Sequence, residues 1–424
     1  PSYYESVSRS LNGYFNAGYS FDDRYLMDVS LRTSGSSVFG TSRKYNTTWS
    51  VGLGWNLHKE KFIMDHVGWI NLLKLRASVG NPGNQNFDSA QSLLTYSFQY
   101  GSMNYFGQGA MLSQIGNPDL EWQITMDKNI GLDVTLFNKR FSLTADYYYK
   151  VTDPLLIKVS VPLSSGTSMY MTNAGEQISQ GFTVSVTYYI FQNFEDRFLW
   201  MVRGNLRTQK TRIDNIGNKL STLNASGKGR NTQRYYDGAD PDDIWAVKSV
   251  GIDPSNGKEL FYAKDGSYTY DFSYDEEVIC GNTRPDVEGI LGTSLNWKGF
   301  SVNLNFRYQM GADVFNEALY SKVENISRSD LNKNQDRRAL YERWQKEGDV
   351  VRFKDIASAE TTPMSSRFVQ KENVLSLESI YVGYEFYDGW IKKLGLSSLK
   401  LQWSMRDVFR ASTIRSERGI SYPF

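Results

Sequence analysis

The sequence predicts an all-β protein that crosses a membrane as part of an antiparallel barrel. Three observations carry this. Segment after segment alternates apolar and polar residues with period two over about ten positions, the pattern of a strand with two unlike faces. The composition is that of β structure, with 28 Tyr, 23 Phe, 10 Trp and 35 Gly against only 10 Pro in 424 residues. No run of 18 apolar residues occurs, so a transmembrane helix is excluded and a closed barrel is the remaining route across a bilayer.

The elements justify this in chain order. Trp49, Val51, Leu53, Trp55 and Leu57 form one apolar face. In NIGLDVTLF, Ile130, Leu132, Val134 and Leu136 oppose Gly131, Asp133 and Thr135; after the short turn Asn138-Lys139-Arg140, Phe141, Leu143, Ala145, Tyr147 and Tyr149 oppose Ser142, Thr144, Asp146 and Tyr148. Faces of the same kind recur at Phe182, Val184, Val186, Tyr188 and Ile190 and at Leu399, Leu401, Trp403 and Met405. The clearest is GFSVNLNFRYQM, where Phe300, Val302, Leu304, Phe306, Tyr308 and Met310 lie opposite Ser301, Asn303, Asn305, Arg307 and Gln309. One face suits lipid and the other water. The spacing predicts roughly a dozen such strands.

A soluble sandwich alternates too, and three features favour the barrel. Aromatics gather near strand ends, at Tyr147 to Tyr149, Tyr188 to Phe191 and Tyr384 to Tyr387, as in the girdles at membrane interfaces. Short turns alternate with long polar connections, roughly 81–122, 212–286 and 312–372, as when one rim carries tight turns and the other long loops. Mean hydropathy is −0.48 despite the apolar faces, because half of each strand and all the loops are polar. Within the long segments the sequence predicts little regular structure, apart from a short helix at DRRALYERWQKEG with Leu340 and Trp344 on one side and a small hairpin around GKELFYAKDGSYTY. No repeat of fixed period suggests a propeller or solenoid.

Composition narrows function as well. With 47 Lys+Arg and 46 Asp+Glu the net charge is +1, which gives no global pull toward nucleic acid. The single Cys280 excludes a disulfide framework and thiolate clusters and reads as a small core residue; His58 and His66, too few for the usual zinc sites, read as loop or strand-end residues. Neither metal nor cofactor is implied. The carboxylates Asp237, Asp240, Asp242 and Asp243 in YYDGADPDD suit a solvated loop, a calcium or sugar-binding loop, or an acid pair, and Asp275, Glu276 and Glu277 a solvated loop. GNPGNQNF lacks the lysine and helix start of a phosphate loop, so Gly80 and Gly83 read as turn glycines, and no nucleophile elbow occurs. The chain is not read as an enzyme.

Six stretches, in order along nearly the whole chain, resemble the SusC/RagA branch of the TonB-dependent transporters. DRYLMDVSLRTSGSSVFG is similar to the family's DRYLL strand and DGSS-RFG loop, with Thr33-Ser34-Gly35 and Val38 as departures. LKLRASVGNPGNQNF resembles its LK-LRASYG-TGNQNI element, with Pro82 as a departure. IGNPDLEWQITMDKNIGLDVTLFNKRFSLTADYYYKVTDPLL is similar to its NPDLKWE segment and strand pair, with Gln123-Ile124 in place of Glu-Thr. CGNTRPDVEGILGTSLNWKGFSVNLNFRYQMGADVFN resembles its GN-RPD hairpin, and SSRFVQKENVLSLESIYVGYEF and IKKLGLSSLKLQWSMRDVF its final strands.

The resemblance implies a multi-pass barrel of the 22-strand type in the outer membrane of a Gram-negative bacterium. This chain would supply roughly its C-terminal dozen strands over 1–424, with long extracellular loops. The N-terminal extension with its TonB box, the plug and the early strands would lie upstream, and a last strand beyond Phe424. It implies TonB-driven import of oligosaccharides beneath a SusD-like surface lipoprotein that closes the barrel mouth, with about 220–280 and 312–370 in that contact and the pair dimerising. An oligopeptide importer of the same family, or a structural or adhesive barrel that moves nothing, are the alternatives. Rings that stack on sugar faces beside amides and carboxylates point to Tyr235, Tyr236, Asp237 and Trp245 as candidate substrate-binding residues. Asn84, Gln85 and Asn86 are of the same type, but Asn84 and Gln85 belong to a family motif and read as architecture.

Overall fold

The computed structural model describes residues 9–36, 45–82, 94–117, 120–121, 123–161, 164, 166–167, 169–217, 220–229, 234–330, 332–358, 360–387 and 389–414. The main sheet has twelve long strands, and the chain divides into two compact units, residues 1–223 with 235–239 and 295–298, and residues 224–234, 240–294 and 299–424.

The first unit holds β1 (Ser10–Phe21), β2 (Tyr25–Ser36), β3 (Tyr45–Asn56), β4 (Ile70–Asn81), β5 (Ile124–Leu136), β6 (Phe141–Asp153), β7 (Glu176–Asn193) and β8 (Phe198–Asp214). Each pairs antiparallel with the next. Register follows the alternation. Leu132, Ala145, Val184 and Leu206 lie side by side on one face, and Asp133, Thr144, Ser185 and Asn205 on the other. A slip of one residue would exchange the faces wholesale. The apolar face stands open: Phe15 is 60% exposed, Leu53 55%, Ile130 59% and Phe182 55%. Several strands of such surface far exceed what a water-soluble protein leaves uncovered.

Tight turns link alternate strands. Between β1 and β2, Asp22 and Asp23 both take positive φ (52° and 50°) and Arg24 N–H donates to the Phe21 carbonyl at 2.9 Å, a type I′ loop whose twist matches its strands. Phe137, Asn138 and Lys139 are left-handed between β5 and β6, and Lys139 N–H donates to Asn71 Oδ1 at 3.0 Å. The opposite strand ends feed longer connections. That between β4 and β5 contains a hairpin of Thr95–Asn104 and Gly107–Gln114. The expected turn glycine Gly80 sits inside β4 instead, where a Cβ would fall 2.7 Å from the Trp49 carbonyl oxygen, so close backbone approach explains it. Gly83 and the GNQNF residues Asn84, Gln85 and Asn86 lie outside the described residues. His58 falls in the turn Leu57–Lys59, as expected.

The second unit contains β9 (Val287–Trp297, its last residues clustering with the first unit), β10 (Phe300–Phe315), β11 (Val369–Phe386) and β12 (Leu399–Ser412). Phe300, Tyr384 and Leu401 align, as do Val302, Val382 and Trp403, and Leu304, Ile380 and Met405. Bulges then shift the register between Asn305 and Phe306 and between Leu377 and Ser379. Against β10 Glu378 is the extra residue, whereas β12 sets Asp407 and Val408 opposite it; Arg307 donates to the Glu378 carboxylate on the polar side. The apolar face survives the bulge, because Phe306 still opposes Leu377 and Tyr308 opposes Leu375.

The connections of this unit correct the expectation of little regular structure. Asp243–Val247 pairs with Glu277–Asn282, and Ser249–Ile252, Glu259–Tyr262 and Tyr268–Thr269 form a three-stranded sheet that includes the expected hairpin. Cys280, on the first of these pairs, is half-buried; burial pushes its thiol pKa up, and Sγ donates to the Ala246 carbonyl at 3.4 Å. Residues 316–368 close over Phe315, Leu319, Val323, Ala339, Phe353 and Phe368. The helix expected near 340 is a single turn, Arg338–Tyr341, with Leu340 59% exposed and Ala339 buried. Trp344 is held elsewhere, its Nε1–H donating to the Pro254 carbonyl at 3.0 Å.

Candidate solute-binding surfaces

On the polar face of the first unit, alternation sets Arg76, Gly131 and Asp146 directly opposite one another across β4, β5 and β6. The Arg76 guanidinium bonds Asp133 with two nitrogens, at 2.7 and 3.1 Å, and reaches over β5 to Asp146 at 3.0 Å. Glycine is what lets it cross: a Cβ at Gly131 would lie 2.3 Å from Asp146 Oδ1 and 2.8 Å from Arg76 Nη2. Lys150 pairs with Asp127 at 2.9 Å on the same face. Arg32, Ser50, Arg76, Asp127, Asn129 and Asp146 are among the residues lining a groove of about 610 Å³ here. The signal in sequence was an arginine and two aspartates at polar-face positions of strands, with a glycine between them.

In the second unit the charges are buried. Arg367 donates to Glu324 at 2.6 Å and to Glu259 at 2.9 Å. Burial pulls its pKa down, but the two carboxylates outweigh burial and hold it above the ordinary value. Thr362 and Ser365 hydroxyls donate to Glu324 at 2.8 Å and Glu259 at 2.6 Å. Arg343, lowered by burial, donates to the carbonyls of Ala339, Val323, Glu324 and Lys354. Two cations against two anions, with bonds to each, is the condition under which buried charge is tolerated. Beside them opens a cavity of about 570 Å³ whose lining includes Glu259, Phe261, Tyr270, Phe272, Lys354 and Thr362, within the usual range for ligand sites. Burial lowers the pKa of the Lys354 ammonium. The sequence singles out none of these connection residues as a site residue, because no local periodicity links Glu259, Glu324 and Arg367.

The residues that sequence did single out are placed as follows. In the first unit Asp237 accepts from the amides of Ile216 at 2.7 Å and Gly217 at 3.1 Å. Tyr235 packs on the cluster of Leu155, Ile157, Ile213, Ile216 and Leu220, and burial raises its pKa. Tyr236 is exposed. Trp245, in the second unit, is half-buried on the strand Asp243–Val247. In the acidic stretch, Arg284 binds both Asp240, at 3.4 Å, and Asp242, while Asp243 accepts from Asn282 Nδ2 at 2.8 Å. That arginine supplies the positive charge a calcium ion would bring, so an internal ion pair accounts for these carboxylates.

A sheet with one lipid-suited and one water-suited face, short turns at one end of its strands and built connections at the other is the architecture of an outer-membrane barrel. The family model described as "TonB dependent receptor-like, beta-barrel" matches residues 1–326. The chain belongs to the TonB-dependent receptor β-barrel family. It is therefore an outer-membrane protein, its apolar strand face turned to lipid and its polar face to the lumen. The TonB-dependent receptor P39 of Formosa agariphila is 27% identical over 449 residues, covering 93% of this chain and 42% of that protein. The TonB-dependent receptor SusC of Bacteroides thetaiotaomicron is 26% identical, with 91% and 39% covered. The chain thus spans about two fifths of the length of these relatives. Among solved structures, that of the RagAB peptide transporter matches with a TM-score of 0.83 at 22% identity, over 96% of this chain and 44% of that one. The fold is shared with it, and the SusC/RagA resemblance read from the sequence stands.

Proposed function

We propose that the chain forms part of a TonB-driven outer-membrane importer of oligosaccharides. The observation that carries this reading is the division of every long strand into a lipid face and a lumen face lined with amides, hydroxyls and paired charges. Such a lumen holds a polar solute weakly enough to release it. The upstream part of the protein supplies the plug and the TonB contact, and a SusD-like lipoprotein closes over the connections within 220–280 and 312–370, the pair dimerising. Tyr236 presents its ring to the sugar, and Tyr235 and Asp237 hold that loop in place; Trp245 is a separate candidate contact, on the second unit. No chemical step on the solute is part of this reading. One observation favours a second substrate class: the structural relative of TM-score 0.83 is a peptide transporter.

The test is uptake of fluorescent oligosaccharides and oligopeptides by cells that carry the full-length protein and its lipoprotein. Saccharide entry that ceases when TonB is deleted is expected, and Tyr236→Ala should slow it roughly fivefold, the equivalent of one stacking contact of about 1 kcal/mol. Entry of peptides alone would decide for the second class. Entry indifferent to TonB would sink energised import, and gentle purification without a lipoprotein companion would count against the lid.

A further inference from the structure

On the lipid face of β5 to β8, among the described residues, charge is confined to one end. From the short-turn end of β5 to β8 the outward rows run Leu136, Phe141, Tyr188, Val202; then Val134, Leu143, Val186, Gly204; then Leu132, Ala145, Val184, Leu206; then Ile130, Tyr147, Phe182, Thr208. The next row is Lys128, Tyr149, Gln180 and Lys210. Eight residues of strand from Leu136 to Lys128 span about 27 Å, or roughly 21 Å of height at the usual tilt, close to the apolar band of such barrels. The row therefore stands where acyl chains give way to headgroups. Long connections leave from this end, so the headgroups are those of the outer leaflet.

Both lysines are exposed, and among the described residues neither meets a carboxylate. The contrast within one hairpin is direct: Lys150, on the lumen face, pairs with Asp127 at 2.9 Å, whereas Lys128 has only the Tyr149 ring, 5.9 Å away. Gln180 accepts from the Tyr147 hydroxyl at 3.3 Å, which leaves the donor end of its amide to the row. Arg212, one row further out, is already paired with Asp214 at 2.8 Å. Lys128 and Lys210 lie three strands apart, about 14 Å, with a ring and an amide between them and flexible stems to narrow the gap.

We propose that the row Lys128, Tyr149, Gln180 and Lys210 is a binding site for the phosphoryl headgroup of an outer-leaflet lipid. Its acyl chains lie on Ile130, Tyr147 and Phe182, and its phosphate answers the two ammonium groups that meet no carboxylate among the described residues. Anionic headgroups draw juxtamembrane lysines in this way, and two of them correspond to roughly thirtyfold in affinity.

The test is native mass spectrometry of the full-length protein released from nanodiscs. The nanodiscs contain either a phosphorylated outer-leaflet glycolipid or the same lipid after phosphatase treatment; a third sample carries inorganic phosphate alone. Retained adducts are expected with the phosphorylated lipid only. They should fall roughly thirtyfold in Lys128→Gln/Lys210→Gln, persist in Lys128→Arg/Lys210→Arg, and persist in Lys139→Gln, a turn lysine at the other end of the strands. Heat-dependent gel mobility confirms that each variant is folded. Equal retention by the double glutamine variant, or of the dephosphorylated lipid, overturns the proposal. Retention of inorganic phosphate as strong as that of the lipid does so as well, since the site would then take a free anion.

Discussion

On β1 to β8 large apolar side chains stand uncovered, Tyr19 at 64% and Leu53 at 55%, while in the connections of the second unit Glu324, Arg234 and Ser365 are 2%, 1% and 0% exposed. The strands are inside-out relative to a soluble protein, and the connections are the right way round with an unusual load of buried charge. The difference teaches what each region needs from its surroundings. Strand pairing satisfies the wall's backbone, and lipid covers its apolar side. Residues 316–368 face water and must enclose a core of their own, so Phe315, Leu319, Val323, Phe353 and Phe368 gather while Arg343 and Arg367 bond the carbonyls and carboxylates around them.

The largest break in this comparison is expected from Glu324→Ala. It removes the acceptor of Thr362 and one of the two carboxylates on Arg367, leaving a guanidinium buried with half its compensation. Loss of one partner of a buried pair costs about 3–5 kcal/mol. Hydrogen exchange in the full-length protein should show residues 316–368 losing protection while β1 to β8 keep theirs. Strand protection falling in parallel would mean that the connection and the wall do not hold themselves together separately.

The same contrast sets what was legible. Alternation identified both faces of β5, β6, β7 and β10, the turn after Leu136 and about the right number of strands, because one period governs a wall whose faces meet two solvents. It did not reveal the bulge at Glu378, where one residue inserted against β10 leaves the alternation on either side of it in place. In the connections, burial of Phe353 or Glu324 depends on partners far along the chain, and no local pattern encodes that. The hairpin at Glu259–Tyr262 was visible because it is local. Of the candidate residues, Asp237 was conspicuous in sequence as a carboxylate beside two tyrosines, yet its oxygens meet backbone amides 21 and 20 residues earlier in the chain, at Ile216 and Gly217. Arg76 was hidden by being one polar residue among many on its face.

A sharper probe of the wall is arginine at Leu304. This residue sits between Val302 and Phe306 on the apolar face of β10 and opposite Ile380. Near the bilayer midplane, arginine there should destabilise the barrel by about 2–4 kcal/mol, read as a drop in unfolding midpoint in urea with lipid present. Asn303→Arg and Asn305→Arg, on the lumen face, should cost far less. Cysteines at Leu304 and Phe306 should react with a lipid-dissolved probe and resist a water-soluble one. Shielding from both, or a barrel that stays soluble without detergent, would overturn the assignment of faces.

The smallest effect lies in the same connection as Glu324 but outside its core. Asp330 Oδ1 receives Lys333 Nζ at 2.7 Å, and Oδ2 receives the Ser327 hydroxyl at 2.8 Å, with Lys322 Nζ at 3.7 Å. The Lys333 and Ser327 bonds, aided by the Lys322 charge, bring its pKa down to about 2. A carboxyl whose folded pKa is depressed binds its proton less readily folded than unfolded, so its contribution is whole above the unfolded value near 3.8 and is lost as pH falls through about 2. Carboxyl-carbon NMR of aspartate-labelled protein, with Asp330→Asn to assign the resonance, should find that midpoint at low salt. Because water reaches this site, Lys333→Gln or about 1 M salt should return the midpoint toward the ordinary range. A midpoint near 3.8 at low salt would mean that these bonds do not persist in solution. Buried charge and exposed charge in one connection would then differ more sharply still, the Arg367 pair holding the loop and the Asp330 pair only decorating it.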